Sequence, residues 1–193
     1  MKRLILFIAT FLPIILNAQK LNKELESSDI NEALNMMGVD IFKFDFDSVD
    51  LNYNLTLYLE EYIEDSIMIK KSFNMGKWSS DNIQKEIKLI SKISSDTTKT
   101  FWFKIIHPNR QQTVRFDILP EFRSVHYWKE ITADNIAYGK KTPLLFLGMA
   151  WEDSYNGMKI RRFCWGEDVK CDLKNETLKK IKHKILLSYQ LEK

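Results

Sequence analysis

The chain has 193 residues, 45% of them hydrophobic, and carries 29 Lys and Arg against 26 Asp and Glu, a formal charge of +3. That length suits one domain with a substantial core. The near balance of charge removes the electrostatic case for a nucleic-acid partner, and with only six Gly and four Pro no linker, repeat or domain boundary stands out.

Lys2 and Arg3 precede an apolar run, Leu4–Leu16, broken only by Thr10 and Pro13, and the small Ala18 stands before Gln19. This is the pattern of a secretory signal peptide over residues 1–18, leaving a single globular domain at 19–193. As a helix, Leu4–Leu16 would reach about 20 Å, short of the roughly 30 Å of a hydrocarbon core. No transmembrane segment is therefore expected after cleavage, and no cysteine follows that would carry a lipid. Cleavage would remove Lys2 and Arg3 and no acid, taking the basic count from 29 to 27 against 26 acids. The expected location is the periplasm or the extracellular space, including attachment to the envelope.

A helix is expected over about 30–37, with Ile30, Leu34 and Met37 at helical spacing, Asp29 and Glu32 at its start and Gly38 at its end, an extension back through Leu21 and Leu25 being the alternative. The period then changes to two. Phe42, Phe44 and Phe46 alternate with charged residues, as do Tyr53, Leu55, Leu57 and Leu59 with polar ones, and both read as strands with one buried face. Glu64-Asp65 turns the chain into a strand over Ser66–Phe73. Asp81 and Gln84 then suggest a helix capped ahead of the stripe Ile83, Ile87, Ile90 and Ile93. Strands are expected at 101–106 and 113–118 with a long loop at 107–112, at 125–131, and at 144–150, whose apolar run suits a central position. Asn156-Gly157 is a type I′ hairpin signal joining 144–154 to 158–165, and Glu167-Asp168 reverses the chain again. A helix at 174–183 and a strand at 185–191 complete about eight to ten strands and two or three short helices. Short loops between neighbouring strands argue for antiparallel pairing in an α+β, β-rich fold: an antiparallel sheet or a β-sandwich.

Cys164 and Cys171 would face each other across a hairpin turning at Glu167-Asp168, so in an exported chain a disulfide is the expected state. Two free thiols or a redox pair are the alternatives, the latter without the Cys-x-x-Cys spacing. No nucleophile elbow, phosphate-binding glycine loop or His-Glu-x-x-His is present. No catalytic residue, metal ligand or cofactor is assigned. His107, His126 and His183 have no metal-ligand spacing. Asp45–Asp50 fails the EF-hand pattern at Val49 and Asp50, leaving a turn or an inter-strand calcium site. Gly76-Lys77-Trp78 matches the lipocalin Gly-x-Trp too far along the chain to carry that meaning; Gly76 instead ends a strand, with Trp78 covering one end of the core.

Alternation selects one candidate binding surface. With Val125, Tyr127 and Ile131 facing the core, His126, Trp128 and Glu130 share the opposite face. If 101–106 and 113–118 join the same sheet, Trp102, Lys104, Arg115 and Asp117 are added to it. Two Trp among charged groups suit a glycan platform or a protein interface, and the competing reading is Trp half-buried under a loop.

The leader ending Asn17-Ala18-Gln19 resembles the signal peptides of Bacteroidetes-type bacteria. Asp47-Ser48-Val49, Asp65-Ser66-Ile67 and Asp96-Thr97-Thr98 resemble the acceptor triplet of the O-glycosylation system of their exported proteins. In leader and texture the chain is similar to their small exported β-rich proteins of unknown function, a resemblance that assigns no residue a role. The expectation is non-catalytic binding of a protein or glycan partner. The alternatives are a small periplasmic hydrolase using scattered residues such as His126, Glu130 and Asp117, and a structural envelope-associated protein.

Overall fold

The computed structural model describes residues 26–78, 85–94, 100–108, 110–132, 135–163, 169–170 and 176–193. The leader, Asp81, the Asp96 triplet, and Cys164 and Cys171 with their expected disulfide lie outside the described residues.

Helix α1 (Ser27–Met36) begins before the stripe that announced it. Asp29 accepts the Glu26 N–H at 2.7 Å, the backward-reaching half of a capping box. Beyond the helix, Gly38 donates its N–H to the Asn35 carbonyl. Strands β1 (Val39–Asp45), β2 (Asn54–Ile63), β3 (Ser66–Gly76), β4 (Glu86–Ile93), β5 (Thr100–His107) and β6 (Arg110–Asp117) follow. After a 3-10 turn at Pro120–Phe122 come β7 (His126–Thr132), β8 (Thr142–Met149), β9 (Trp151–Tyr155), β10 (Met158–Arg162) and β11 (Val169–Lys170). A single helical turn, α2 (Glu176–Lys179), leads into β12 (His183–Glu192).

The strands form a four-stranded sheet in the order β1-β4-β5-β6, a six-stranded sheet in the order β11-β7-β8-β12-β2-β3, and the β9-β10 hairpin. Pairing is antiparallel except where β11 runs parallel to β7. The hairpin turns through Asn156 and Gly157 at φ of 50° and 77°, the positive values a type I′ turn demands.

The two larger sheets share one core. Leu55, Leu57 and Leu59 of β2, Ile87 and Leu89 of β4, Phe101, Phe103 and Ile105 of β5, Val114 and Phe116 of β6, and Leu145, Leu147, Ile185 and Leu187 of β8 and β12 form one buried cluster. Each such side chain contributes about 1.5–3 kcal/mol on burial. A second cluster of Ile131, Phe146, Val169, Leu178, Ile181 and Leu186 covers the opposite face of the six-stranded sheet. β8 is therefore buried on both sides, which is why Leu144–Ala150 shows no alternation.

Several expectations are corrected. The predicted helix through Ile87, Ile90 and Ile93 is strand β4, between β1 and β5. Its residues satisfy a period of two as well, with Ile87, Leu89 and Ser91 inward; the polar Ser91 hid that second pattern. The fold has twelve strands among the described residues and only one helix longer than a single turn, so strands were undercounted and helices overcounted. The loop expected at 107–112 is short, because β5 and β6 stay paired out to His107 and Arg110. Val169 and Lys170 pair in parallel with Ile131 and Thr132 of β7, while the turn at Glu167-Asp168 and the other arm of the expected hairpin lie outside the described residues. β3 forms one edge of the six-stranded sheet. Its pairing with β2 passes over Met68, since Glu61 opposes Ile69 and Tyr62 opposes Ile67.

Gly148 on β8 lies beneath the second cluster. A Cβ there would stand 2.9 Å from Phe146 Cε2, 3.1 Å from Phe163 and 3.3 Å from Ile181. Gly148→Ala is expected to lower stability by about 1–3 kcal/mol, the range for overpacking; urea unfolding with an unchanged m-value checks it.

Candidate functional site

Strand alternation fixes what the four-stranded sheet turns outward. Phe101, Phe103, Val114 and Phe116 go to the core, so Trp102 and Arg115, directly paired across β5 and β6, go to the surface. Trp102 is 42% exposed. The Arg115 guanidinium lies 5.3 Å from its ring centroid and also grips Asp117 Oδ1 at 2.8 Å through Nε and Nη2. Thr100 donates its hydroxyl to the same oxygen at 3.0 Å. The Arg115 hydrogen bond, aided by Thr100 and by the guanidinium charge, holds the Asp117 carboxyl below the usual carboxylate range. An aromatic ring, a cation and a carboxylate are thereby held together on an open sheet face, a combination able to stack and hydrogen-bond at once.

The other three residues predicted for this surface lie elsewhere. β7 belongs to the six-stranded sheet, not to the sheet of β5 and β6. Trp128 points into the space between the sheets, edge-on to Phe42 and Phe103 at 5.2 and 5.7 Å. Its Nε1–H donates to Ser91 Oγ at 3.0 Å. His126 is buried beside Phe101. Glu130 is exposed and lines a hollow of about 300 Å³ at the β1 edge with Ile41, Lys43 and Leu144. His126, Trp128 and Glu130 do share one face of β7, as alternation required, but Trp102 and Trp128 form no common platform. Nor are His126, Glu130 and Asp117 brought together as a hydrolase would need.

Instead His126 belongs to a buried chain that alternation alone did not reveal. Its Nδ1–H donates to the Ser124 carbonyl at 3.1 Å, and its Nε2 lies 2.9 Å from His183 Nδ1. His183 Nε2 is 2.8 Å from Glu61 Oε1. His126, His183 and Glu61 are 8%, 1% and 6% exposed, with the Phe122 ring stacked on His183. One proton in each of the three bonds makes the chain neutral overall: either a carboxylate with one imidazolium, or a carboxylic acid with two neutral imidazoles. Every ring nitrogen is engaged, so the chain ties β7, β12 and β2 together. A sequence signal existed. Glu61 follows Leu55, Leu57 and Leu59 in phase, and His183 precedes Ile185 and Leu187 in phase; a polar residue at a core position implies a buried partner.

A related cluster joins the two sheets. Asp40 of β1 pairs with Ser91. Burial pushes the Asp40 carboxyl up, opposed by hydrogen bonds from Trp128 and Ser91. Burial also pushes up Glu60 on the other face of β2. Hydrogen bonding and charge from Lys141, whose Nζ lies 2.7 and 2.8 Å from its oxygens, outweigh this and hold it low. Among the acids at Asp45–Asp50, Asp45 accepts the Asp47 N–H and Asp50 that of Asn52 in local turns, whereas Asp47 accepts the N–H of the distant Lys85. No group of three or more His, Cys, Asp or Glu able to hold a metal occurs among the described residues.

Two outcomes are expected. His183→Ala strands Glu61 and is expected to cost about 3 kcal/mol or more, whereas Trp102→Ala at the surface stays within about 1 kcal/mol; chemical denaturation separates them. Asp40→Asn keeps an acceptor for Trp128 and removes a charge that burial disfavours. Because the folded carboxyl titrates above its ordinary value of 3.8, its penalty is present at neutral pH and fades as pH falls through the raised value. Asp40→Asn is therefore expected to raise Tm at pH 7, with the gain gone below pH 3.8.

Comparison with the curated proteins and with the solved structures gives no match. A family model described as a domain of unknown function, DUF5041, matches residues 15–193. The chain belongs to that family.

Proposed function

We propose that this is an exported, non-catalytic binding domain that takes a protein or glycan partner on the outer face of the four-stranded sheet, at Trp102, Arg115 and Asp117. The observation that carries the reading is the exposed Trp102 ring, fixed by an Arg115–Asp117 pair that the core does not require. Trp and Arg are the residues that dominate binding energy at interfaces. The His126–His183 pair is buried and bonded within the fold, which supports a structural role for it. The leader at 1–18 supports export to the periplasm or beyond, where Cys164 and Cys171 would form a disulfide.

Two measurements test the reading. N-terminal sequencing of the protein recovered outside the cytoplasm is expected to begin at Gln19; retention of Met1 would overturn export by cleavage. Binding of wild type and Trp102→Ala to an arrayed panel of neutral and acidic glycans, and to envelope proteins identified by crosslinking, is expected to show a loss of about tenfold or more in the variant, the size typical of a hot-spot residue. Equal binding by both would remove Trp102 from the interface.

A further inference from the structure

The outer face of the four-stranded sheet extends well beyond Trp102, and its register can be read row by row. Val39, Lys92, Trp102 and Arg115 lie side by side across β1, β4, β5 and β6. The next outward row is Ile41, Ile90, Lys104 and Thr113, and the next is Lys43, Lys88, Ile106 and Gln111. With strands about 4.8 Å apart and like-facing residues about 6.8 Å apart, these rows cover a patch about 14 Å on each side. Five cations and no acid stand in these three rows; the outward acids of the same face, Asp45 and Glu86 at one end and Asp117 at the other, stand in the flanking rows. Lys43 and Lys88 are directly opposite each other, an arrangement that destabilises a sheet unless an anion offsets it. Lys43 reaches Glu86 at 3.7 Å, and Arg115 holds Asp117. Lys88, Lys92 and Lys104 form no ion pair with any described residue.

Resting on the binding role proposed above, we infer that the partner of this face is an acidic glycan, an extended sugar chain bearing carboxylate or sulfate groups, laid across the strands. Three observations select it. Lys88, Lys92 and Lys104, without an ion pair among the described residues, complement a partner with repeated negative charge. Trp102 stands between Lys92 and Arg115 in one row, so an apolar ring face and two cations meet the same stretch of partner, which matches a sugar unit carrying both an apolar face and an acid group. The β6 column supplies Gln111, Thr113 and Asp117, groups that hydrogen-bond hydroxyls. The face is open, which suits a long polymer better than a small ligand.

The test compares polygalacturonate, a sulfated polysaccharide such as heparin, and fully methyl-esterified polygalacturonate, which has the same backbone without charge. By calorimetry, wild type is expected to bind at least one acidic polymer and to bind the esterified chain about tenfold more weakly or not at all. Binding is expected to fall steeply with added salt. Lys88→Glu with Lys104→Glu is expected to weaken binding by about tenfold or more, with an unchanged thermal melt; Lys88→Gln with Lys104→Gln gives a smaller loss in the same direction. Failure to bind either acidic polymer overturns the inference, as does equal affinity for the charged and esterified chains. Preference for phosphatidylglycerol vesicles or for nucleic acid overturns it in favour of those anions. Binding that Trp102→Ala abolishes but the lysine variants leave intact retains the binding role and removes the acidic partner, whereas binding that neither change affects removes both.

Discussion

The structure rests on a single constraint: two sheets send alternate side chains into one shared interior. Because the strand repeat is two, burying Phe101, Phe103 and Ile105 settles at the same time that Trp102 and Lys104 face out. The surface is in this sense a by-product of the core. A one-residue slip of β5 would exchange the entire set, placing an indole and an ammonium group among leucines. The outer face is thus as well defined as the interior that dictates it, without needing contacts of its own.

That interior is not wholly apolar, and its polar members lie where different strands must agree. Trp128 of one sheet bonds Ser91 of the other, and the His126–His183–Glu61 chain crosses the six-stranded sheet from β7 to β2. Replacing buried ionic groups with well-packed apolar ones is often neutral or favourable, so such groups are weak evidence of stability. Their effect here is selective. An indole N–H or an imidazole finds its partner in one register only, while leucines would tolerate several. Packing supplies the attraction between the sheets, and these bonds choose among its ways of being satisfied.

Legibility in the sequence followed the same division. Alternation placed β1, β2, β5, β6 and β7, and Asn156-Gly157 placed the β9-β10 turn, because those signals are local. Strand β4 is not legible from periodicity, because Ile87, Ile90 and Ile93 also fit a helix and Ser91 conceals the inward set. The separation of Trp102 from Trp128 was not legible. Alternation tells which residues share a face of a strand, whereas sheet membership depends on pairing between distant segments such as β1 with β4 and β12 with β8. The lysine field was hidden for a further reason. Lys43, Lys88, Lys92 and Lys104 come from three separated strands, so a charge count along the chain averages them against acids that lie elsewhere.

The step past Met68 in β3 carries a consequence for how copies of this protein coexist. β3 is an open edge with Ile67, Met68 and Ile69 all exposed, the composition that invites another chain to add itself as the next strand. A neighbour with a regular two-residue repeat could match only a few residues before the extra one put its side chains and hydrogen-bonding groups out of phase. The irregularity therefore limits how far an added strand could stay in register along this edge. It achieves this without a proline or an added charge at the three residues most in need of protection.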